Sequence, residues 1–302
     1  EVLVIECMAV NPEMQWISEH RIVQSTIGVI TNVRKNHLDV MGPTCQDVAS
    51  ALALTIPASG ELVVGDGHYY GFFQDKAARL GTSAHLAEVG IPNQDLDSFP
   101  YLMFSENVAC AMKVGELLAV PPSVAWEGMA HVVPDPGSTH ISKLEHSGVA
   151  IYFVNALAAN DLTSTLLIWD KWQTMAIGLS LSHIPVIGLL HNRADRSFRV
   201  AELAELACSA LPLDLLLLTG DLVPVTKRYL KKHGFQRPAV AGRRLFSVQS
   251  TLDDLSRRYQ GDVVLFAYGN TQGFGQQLVD YFYRNGERIG DDVRSHRIGS
   301  GF

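Results

Sequence analysis

The stretch from Pro185 to Thr219 decides the fold class, because it combines two strand patterns with one helix pattern. Two apolar runs, PVIGLL at Pro185–Leu190 and LDLLLLT at Leu213–Thr219, flank the segment VAELAELACSA at Val200–Ala210. Apolar residues recur at helical spacing in the middle segment, whereas the flanking runs have the length and composition of buried strands. Two strands joined by a helix lie parallel in one sheet, so the stretch predicts a parallel α/β sheet.

The same alternation continues through the second half of the chain. The predicted strands there are Val149–Asn155, Pro185–Leu190, Leu213–Thr219, Leu245–Val248 and Val263–Tyr268. The predicted helices are Leu162–Ala176, Val200–Ala210, Val223–His233, Leu252–Tyr259 and Gly275–Tyr283. Five strands separated by helices are typical of an open parallel sheet.

The first half carries a shorter version of this alternation. Its predicted strands are Val2–Ile5, Ile27–Thr31 and Glu61–Gly65, and its predicted helices are 12–23, 44–55, Tyr69–Leu80, Glu106–Leu118 and Pro122–Ala130. Asn11, Pro12 and Glu13 supply the N-cap, the first-position proline and the first-turn acid of a helix start. We predict two domains, 1–142 and 143–285, which meet at the Pro/Gly-rich linker Val133–His140, and a flexible tail at 286–302.

Composition excludes several classes of protein. The chain is 47% hydrophobic and 18% charged, with a net charge of -7. An acidic chain lacks the basic face that nucleic acid binding needs, so we expect no nucleic acid partner. No apolar run approaches the roughly 20 residues that span a bilayer. The four cysteines include no C-x-x-C pair, which is typical of reduced cytosolic thiols.

Polar residues directly after predicted strands are the first candidates for a site, since open parallel sheets bind ligands beyond the carboxyl ends of their strands. Glu6 follows the first predicted strand, and His37 lies in the loop after the second. A carboxylate and an imidazole on one edge suit a magnesium ion shared with a phosphate. An ordinary strand-end acid and a structural histidine are the alternatives.

A second group of candidates follows strands of the second half. Arg193 and Arg196, in the segment HNRADR at 191–196, suit bidentate recognition of a carboxylate or phosphate. A helix start with solvated arginines is the alternative. Asp161 follows the strand Val149–Asn155 in the same way, and a plain helix N-cap is its simplest account.

The sequence contains no glycine-rich phosphate loop of the form G-x-x-x-x-G-K-[ST], and no lysine follows a glycine. Gly273-Phe274-Gly275, at the start of a predicted helix, offers free amides to an anion. Turn geometry is the plainer explanation of these glycines.

Several blocks of sequence resemble one family. They are ECMAVNPE (6–13), IGVITNV (27–33), HLDVMGPT (37–44), PDPG (134–137), NALAAND (155–161), NRADR (192–196) and the pair Gly269-Asn270. In this order they resemble the ligase subunit of bacterial poly-γ-glutamate (capsule) synthases, which are relatives of the Mur ligases and folylpolyglutamate synthases.

The resemblance implies a fold, a reaction and a set of site residues. The fold is α/β, with a Mur-ligase-like central ATP domain followed by a Rossmann-like C-terminal domain. The reaction is ATP-dependent amide ligation of glutamate through its γ-carboxyl group by way of an acyl phosphate. The implied cofactors are ATP and Mg2+, and the implied partners are glutamate, the poly-γ-glutamate chain and other subunits of a membrane-bound synthase. Matched positions are Glu6 and His37 for metal, Asn32, Asn160 and Asp161 for nucleotide, and Asn192, Arg193, Asp195 and Arg196 for substrate.

Departures from the family pattern modify this interpretation. The family's phosphate loop lies upstream of the Glu6 block, whereas this chain begins inside a predicted strand without a methionine. We therefore expect an N-terminally truncated chain that is inactive alone, with no catalytic residue assigned. Its attachment to the cytoplasmic side of a membrane would come from the missing segment or from partner subunits. Asn36, His140 and Ala156 also depart from the pattern, which leaves open a non-catalytic scaffold, beside a folylpolyglutamate or cell-wall peptide ligase.

Overall fold

Two compact units make up the described part of the chain. The structure is a computed structural model that describes residues 2–35, 37–88, 96, 99, 103–132, 141–159, 161–241 and 247–289. The described residues up to 132 form the first unit, and those from 141 onward form the second. Each unit has its own sheet, in which parallel strands predominate, so the predicted α/β fold class is confirmed.

The first unit is built on a three-stranded parallel sheet in the order β1-β2-β3. Its strands are β1 Ile27–Ile30, β2 Glu61–Val64 and β3 Ser83–Leu86. Its helices are α1 Pro12–Ile17, α2 Leu38–Met41, α3 Cys45–Leu52, α4 Tyr70–Arg79, α5 Ser105–Leu117 and α6 Pro122–Ala130. A π-helical segment, Ser18–Val23, continues α1, and a 3-10 turn, Ala53–Thr55, continues α3.

Local capping explains where two of these helices begin. The Asn11 side chain accepts hydrogen bonds from the backbone N–H groups of Glu13 and Met14, at 2.9 and 3.3 Å. Thr44 and Asp47 cap α3 reciprocally, each side chain accepting the other residue's backbone N–H. Such caps satisfy amides that have no partner inside the helix. Both predicted helix starts are confirmed.

Two predictions for the first unit are wrong. Residues 2–5 form no strand, and their apolar side chains are exposed, with Val4 at 90%. A strand needs a neighbour to satisfy its backbone groups, and within the described residues β1 lies at the edge of the sheet with β2 as its partner. The strands predicted at Val2–Ile5 and Ile27–Thr31, with the helix predicted at 12–23 between them, therefore do not form a βαβ unit. Conversely, β3 was not predicted, because Ser83 and His85 interrupt its apolar pattern.

The second unit is built on a seven-stranded sheet in the order β10-β4-β5-β9-β6-β7-β8. Its strands are β4 Ile141–His146, β5 Val149–Ala156, β6 Val186–Asn192, β7 Leu215–Gly220, β8 Ala239–Ala241, β9 Val263–Gly269 and β10 Glu287–Arg288. Its helices are α7 Leu162–Gly178, α8 Val200–Ser209, α9 Val223–Lys232, α10 Val248–Arg258 and α11 Phe274–Asn285. Strands β5, β9, β6, β7 and β8 are parallel to one another, whereas β4 and β10 are antiparallel to their neighbours.

The structure corrects three predictions for the second unit. The predicted strand Leu245–Val248 is wrong at Val248, which begins α10 behind a reciprocal Ser247–Ser250 cap. The fifth parallel strand is Ala239–Ala241, and residues 242–246 lie outside the described part. The hairpin partner β4 was missed, and Glu287–Arg288 pairs with it, so this part of the predicted flexible tail is ordered.

The core of the second unit lies between its central strands and the helices that cover them. Strands β5 and β9 are buried along their full lengths, as expected for parallel strands covered on both faces. Phe153 on β5 stacks on Phe282 of α11, with ring centroids 4.3 Å apart. On α7, Trp169 packs edge-on against Phe266 of β9. Among the described residues, no helix has the length and apolarity needed to cross a membrane.

Candidate functional site

A pocket of about 650 Å³ opens at the carboxyl ends of β6 and β7 in the second unit. The end of β6 and the loop after it contribute His191 and Arg193. The turn after β7 and the start of α9 form a second wall, and the loop between β9 and α11 forms a third. The remaining lining residues are Leu218, Thr219, Gly220, Asp221, Val223, Pro224, Gln272, Gly273 and Phe274. This edge is where open parallel sheets bind ligands.

Glycines let the three walls approach one another. Gly220, Gly269 and Gly273 all have positive φ, at +88°, +114° and +81°. A Cβ atom on Gly220 would collide with the backbone oxygen of Asn192, and one on Gly269 would collide with that of His191. A side chain at either position would therefore push neighbouring strand ends apart.

His191 forms the buried floor of the pocket. Its side chain bonds on both sides, with Nδ1 3.0 Å from the hydroxyl of Thr219 and Nε2 2.8 Å from the backbone oxygen of Gln272. A carbonyl oxygen only accepts, so Nε2 carries the proton and Nδ1 accepts from Thr219. Burial lowers the pKa of His191, and the Arg193 guanidinium lowers it further, against the Gln272 bond and the Asp221 carboxylate, which raise it. The imidazole is therefore neutral at pH 7.

The neutral state of His191 makes stability depend on pH. Its pKa lies below the ordinary value of about 6.5, so below that pH the unfolded chain binds a proton that the native chain does not. Above about pH 7 the His191 proton has no effect on the free energy of unfolding. As the pH falls from there towards the native pKa, the free energy of unfolding declines by at most about 1.4 kcal/mol per pH unit. Urea unfolding between pH 7.5 and 5 should show a shallower pH slope in His191→Gln than in the native chain. The exposed His183→Gln control should keep the native slope, and an unchanged slope in His191→Gln would contradict the prediction.

The predicted substrate residues occupy different surroundings. Arg193 lines the pocket, and its Nη2 lies 2.8 Å from Oδ2 of Asp195, which is exposed. Asn192 is buried and donates from Nδ2 to the hydroxyl of Thr226 on α9, 3.0 Å away. Arg196 lies in the 3-10 segment Ala194–Arg199, at a residue with non-helical backbone angles. Of the four, the structure places Arg193 at the pocket wall, with Asp195 paired to it.

The predicted nucleotide residues of the second unit lie after β5. Asp161 is the N-cap of α7: Oδ1 accepts from the N–H of Ser164 at 2.8 Å, and Oδ2 accepts from its hydroxyl at 2.5 Å. Asp161 is therefore a helix N-cap, the simplest of the roles considered for it. Asn160 lies outside the described residues.

The predicted metal and nucleotide residues of the first unit lie near the carboxyl end of β1 or in the N-terminal segment. Asn32 follows β1 directly, and its amide donates to the Thr31 hydroxyl at 3.4 Å. His37 precedes α2 with a φ of +51°. Glu6 lies in the exposed segment before α1, so its predicted position at the end of a strand is wrong.

The described residues offer no group of three or more His, Cys, Asp or Glu side chains positioned to hold a metal ion. Magnesium often takes only one or two protein ligands beside phosphate oxygens and waters. The carboxylate of Glu6 and the imidazole of His37 have the chemistry for such a partial site, so their metal role rests on the resemblance and remains a prediction.

Sequence reasoning missed the acidic residue of the pocket. Asp221 follows Gly220 at the end of β7, and its Oδ2 accepts the N–H of Ala194 at 3.1 Å. The sequence signal for Asp221 was the Gly-Asp pair that directly follows the leucine-rich strand. The lining residues Thr219 and Gln272 were not among the predicted site residues either.

Comparison with known proteins assigns the family. Residues 141–285 match the family described as Poly-gamma-glutamate synthase CapB C-terminal domain. The PGA synthase CapB of Bacillus subtilis (strain 168) is 33% identical over 284 residues, covering 92% of this chain and 70% of that protein. The chain belongs to the CapB family. The Capsule biosynthesis protein CapB of Bacillus anthracis is 31% identical over 296 residues, covering 96% of this chain and 61% of that protein. The predicted resemblance is confirmed, and this CapB-family chain spans less than two thirds of the Bacillus anthracis relative.

Solved structures show which fold the CapB-family chain adopts. Escherichia coli FolC in complex with DHPP and ADP superposes with a TM-score of 0.60 at 15% identity, over 91% of this chain and 63% of that chain. MurF from Acinetobacter baumannii gives 0.57 at 13% identity, over 90% and 62%. Folylpolyglutamate synthase/dihydrofolate synthase from Yersinia pestis, complexed with AMPPNP and a Mn ion, gives 0.60 at 14%, over 87% and 62%. These likenesses show a shared α/β fold.

Proposed function

We propose that this chain is the ligase part of a poly-γ-glutamate synthase and extends a glutamate chain at the expense of ATP. The observation that carries the proposal is the 33% identity to a PGA synthase over 92% of the chain. The pocket of about 650 Å³ at the carboxyl edge of the second sheet supports a small-molecule site there.

The reaction proposed has two steps. The terminal carboxylate of the growing chain attacks the γ-phosphorus of ATP, which forms an acyl phosphate and releases ADP. The uncharged amine of the next glutamate then attacks the acyl carbon, the amide bond forms, and phosphate leaves while the nitrogen gives up a proton. Two negatively charged reactants must therefore be held close together, which requires cationic groups and oriented amides.

The pocket residues suit the incoming glutamate. Arg193 supplies a guanidinium that can bind a carboxylate through two hydrogen bonds. Its partner Asp195 is exposed, so water or a substrate carboxylate can replace Asp195 in the ion pair. The starts of α9 and α11 both line the pocket, and no side chain caps either of them. Uncapped helix starts favour a negative group, and the start of α11 offers more amides than that of α9, where Pro224 has no N–H. Because the pKa of His191 is lowered, the neutral imidazole adds no second positive charge that would repel the Arg193 guanidinium.

The nucleotide and metal are assigned to the first unit on the strength of the resemblance. ATP supplies the phosphoryl group, and Mg2+ when bound neutralises phosphate charge. Glu6 and His37 would hold the ion, and Asn32 would approach the nucleotide. In the second unit, Asn160 and Asp161 remain nucleotide candidates on the resemblance alone. Neighbours of this fold solved with ADP, or with AMPPNP and a Mn ion, support nucleotide use. Attachment to a membrane through partner subunits belongs to the same proposal.

Arg193 is the residue on which the glutamate site is tested. Arg193→Ala should weaken binding of glutamate by about 10- to 100-fold, because hydrogen bonds between charged groups contribute about 1.5–3 kcal/mol. Isothermal titration of the chain with L- and D-glutamate measures the effect and identifies the enantiomer. The glutamate affinity of Arg193→Lys should lie between those of the native chain and Arg193→Ala, since lysine keeps the charge and loses the planar geometry that allows two parallel hydrogen bonds.

The control for this titration is Arg228→Ala, which removes an exposed arginine of α9 from the same unit. It should bind glutamate as the native chain does. Equal affinity of the native chain and Arg193→Ala would rule out the glutamate site. Titration with magnesium and ADP, compared between the native chain and the Glu6→Ala and His37→Ala variants, tests the nucleotide and metal assignment separately.

A non-catalytic scaffold subunit is the competing hypothesis. The exposed position of Glu6 in a segment without secondary structure favours it, because a catalytic metal ligand is usually held rigidly. The titrations separate the two hypotheses, since a scaffold would bind neither glutamate nor magnesium-ADP.

A further inference from the structure

One residue, Asp221, holds both peptide groups that flank Arg193. The N–H of Asp221 donates to the backbone oxygen of Asn192 at 3.0 Å. Its side-chain Oδ2 accepts from the N–H of Ala194 at 3.1 Å. The first bond fixes the peptide before Arg193 and the second fixes the peptide after it. We call this pair of hydrogen bonds the Asp221 bridge.

The Asp221 bridge determines where the Arg193 side chain starts. Arg193 has an extended backbone, with φ -119° and ψ 148°, immediately before the 3-10 segment. Because the planes of both adjacent peptides are held, the direction of the Arg193 Cα–Cβ bond is set. The side chain therefore extends from a fixed position on the pocket wall. Losing the bridge frees the loop between β6 and α8 and lowers the fraction of time that Arg193 spends at the wall.

Gly220 makes the Asp221 bridge possible. Gly220 pairs with Asn192 in the ladder between β6 and β7, and a Cβ atom on Gly220 would collide with the Asn192 oxygen that Asp221 needs. The preceding glycine therefore brings the aspartate within bonding distance of the neighbouring loop.

The first unit contains the side-chain half of this arrangement. Gly65 follows β2, a Cβ atom there would collide with the backbone oxygen of Thr31, and Oδ2 of Asp66 accepts the N–H of Val33 at 3.1 Å. In both units the bonded amide lies two residues after the oxygen that the glycine accommodates. The Asp66 bond holds the loop that contains Asn32 and leads to His37.

The geometry points to Asp221 as a positioning residue for glutamate binding, acting through Arg193, with Asp66 serving the equivalent loop of the first unit. This inference rests on the proposed glutamate site. It assigns Asp221 no contact with the substrate, because its role is carried by hydrogen bonds and not by its charge.

A double-mutant cycle tests the inference. Asp221→Ala should weaken glutamate binding about five- to tenfold in the native background and less than twofold in the Arg193→Ala background, since the two residues act as one. Asp221→Asn keeps an oxygen that accepts from Ala194, so its affinity should stay within about twofold of native. Additive effects, or equal losses in Asp221→Ala and Asp221→Asn, would overturn the positioning role.

Asp214→Ala is a matched control on the same pair of strands. Asp214 makes the equivalent reciprocal pair of bonds with Val186 at the amino end of β6, both at 2.8 Å. Asp214→Ala should cost comparable stability in urea without changing glutamate affinity. A loss of glutamate affinity in Asp214→Ala equal to that in Asp221→Ala would reduce the Asp221 bridge to a general stabilising contact and overturn the inference.

Amide hydrogen exchange separates failure of the inference from failure of the proposed function. The Ala194 amide should exchange at least tenfold faster in Asp221→Ala than in the native chain and at a near-native rate in Asp221→Asn. This measurement needs no ligand. If the native chain binds no glutamate, the proposed function fails, and unchanged Ala194 exchange in Asp221→Ala overturns the bridge by itself.

Discussion

Replacing Phe282 by alanine is expected to lower the free energy of unfolding of the second unit by about 3–5 kcal/mol. Phe282 is fully buried, and its ring stacks on Phe153 with an interplanar angle of 17°. This contact fastens α11 to β5, so the substitution removes the buried surface of one ring and leaves a cavity beside the other. Urea unfolding followed by the fluorescence of Trp169 and Trp172, both buried in this unit, measures the loss.

The control for Phe282 is an exposed apolar residue of the same unit. Ile177 near the end of α7 is 71% exposed, so Ile177→Ala should change stability by no more than about 0.5 kcal/mol. A loss below about 1 kcal/mol in Phe282→Ala would mean that α11 does not depend on this stack.

Gly269→Ala is expected to lower the free energy of unfolding by about 3 kcal/mol and to abolish the shape of the pocket. Gly269 ends β9 with φ +114°, a conformation that residues with a Cβ rarely adopt. The added Cβ would also collide with the backbone oxygen of His191, whose side chain forms the pocket floor. The backbone of β6 would have to shift, and the His191 bond to Gln272 with it.

Two other glycines separate strain from collision. Gly148 has φ +82° but open space around its Cβ position, so Gly148→Ala should cost about 1 kcal/mol from conformation alone. Gly261 has open space and no positive φ, so Gly261→Ala should be close to neutral. Equal losses in Gly269→Ala and Gly148→Ala would show that close approach to His191 contributes nothing.

Local signals predicted the elements whose cause is local. Asn11 and Thr44 cap helices through bonds to residues two or three positions away, so composition alone located both helix starts. The strand predicted at residues 2–5 is wrong because a strand depends on a partner that is distant in sequence. The apolar, β-branched pattern of these residues has the composition of a strand, but a strand also needs a partner, and the described part of the chain supplies none.

The candidate site was predicted in part. The rule that ligands bind at strand carboxyl ends located Arg193, which lines the pocket. It could not distinguish Arg193 from Asn192, because adjacent side chains of a strand point to opposite faces, and Asn192 points to Thr226. Asp161 is a residue type that often binds ligands, but its hydrogen bonds here are those of a helix N-cap.

The sequence by itself determined the α/β class, most element boundaries and the family, since these depend on periodicity, capping residues and ordered motifs. Only the tertiary structure decided that β9 lies between β5 and β6, which brings Gln272 to His191 across 81 positions of sequence. It also decided that Asp221 holds the two peptides beside Arg193. Strand order and loop-to-loop hydrogen bonds depend on long-range packing, and no local pattern of residues encodes them.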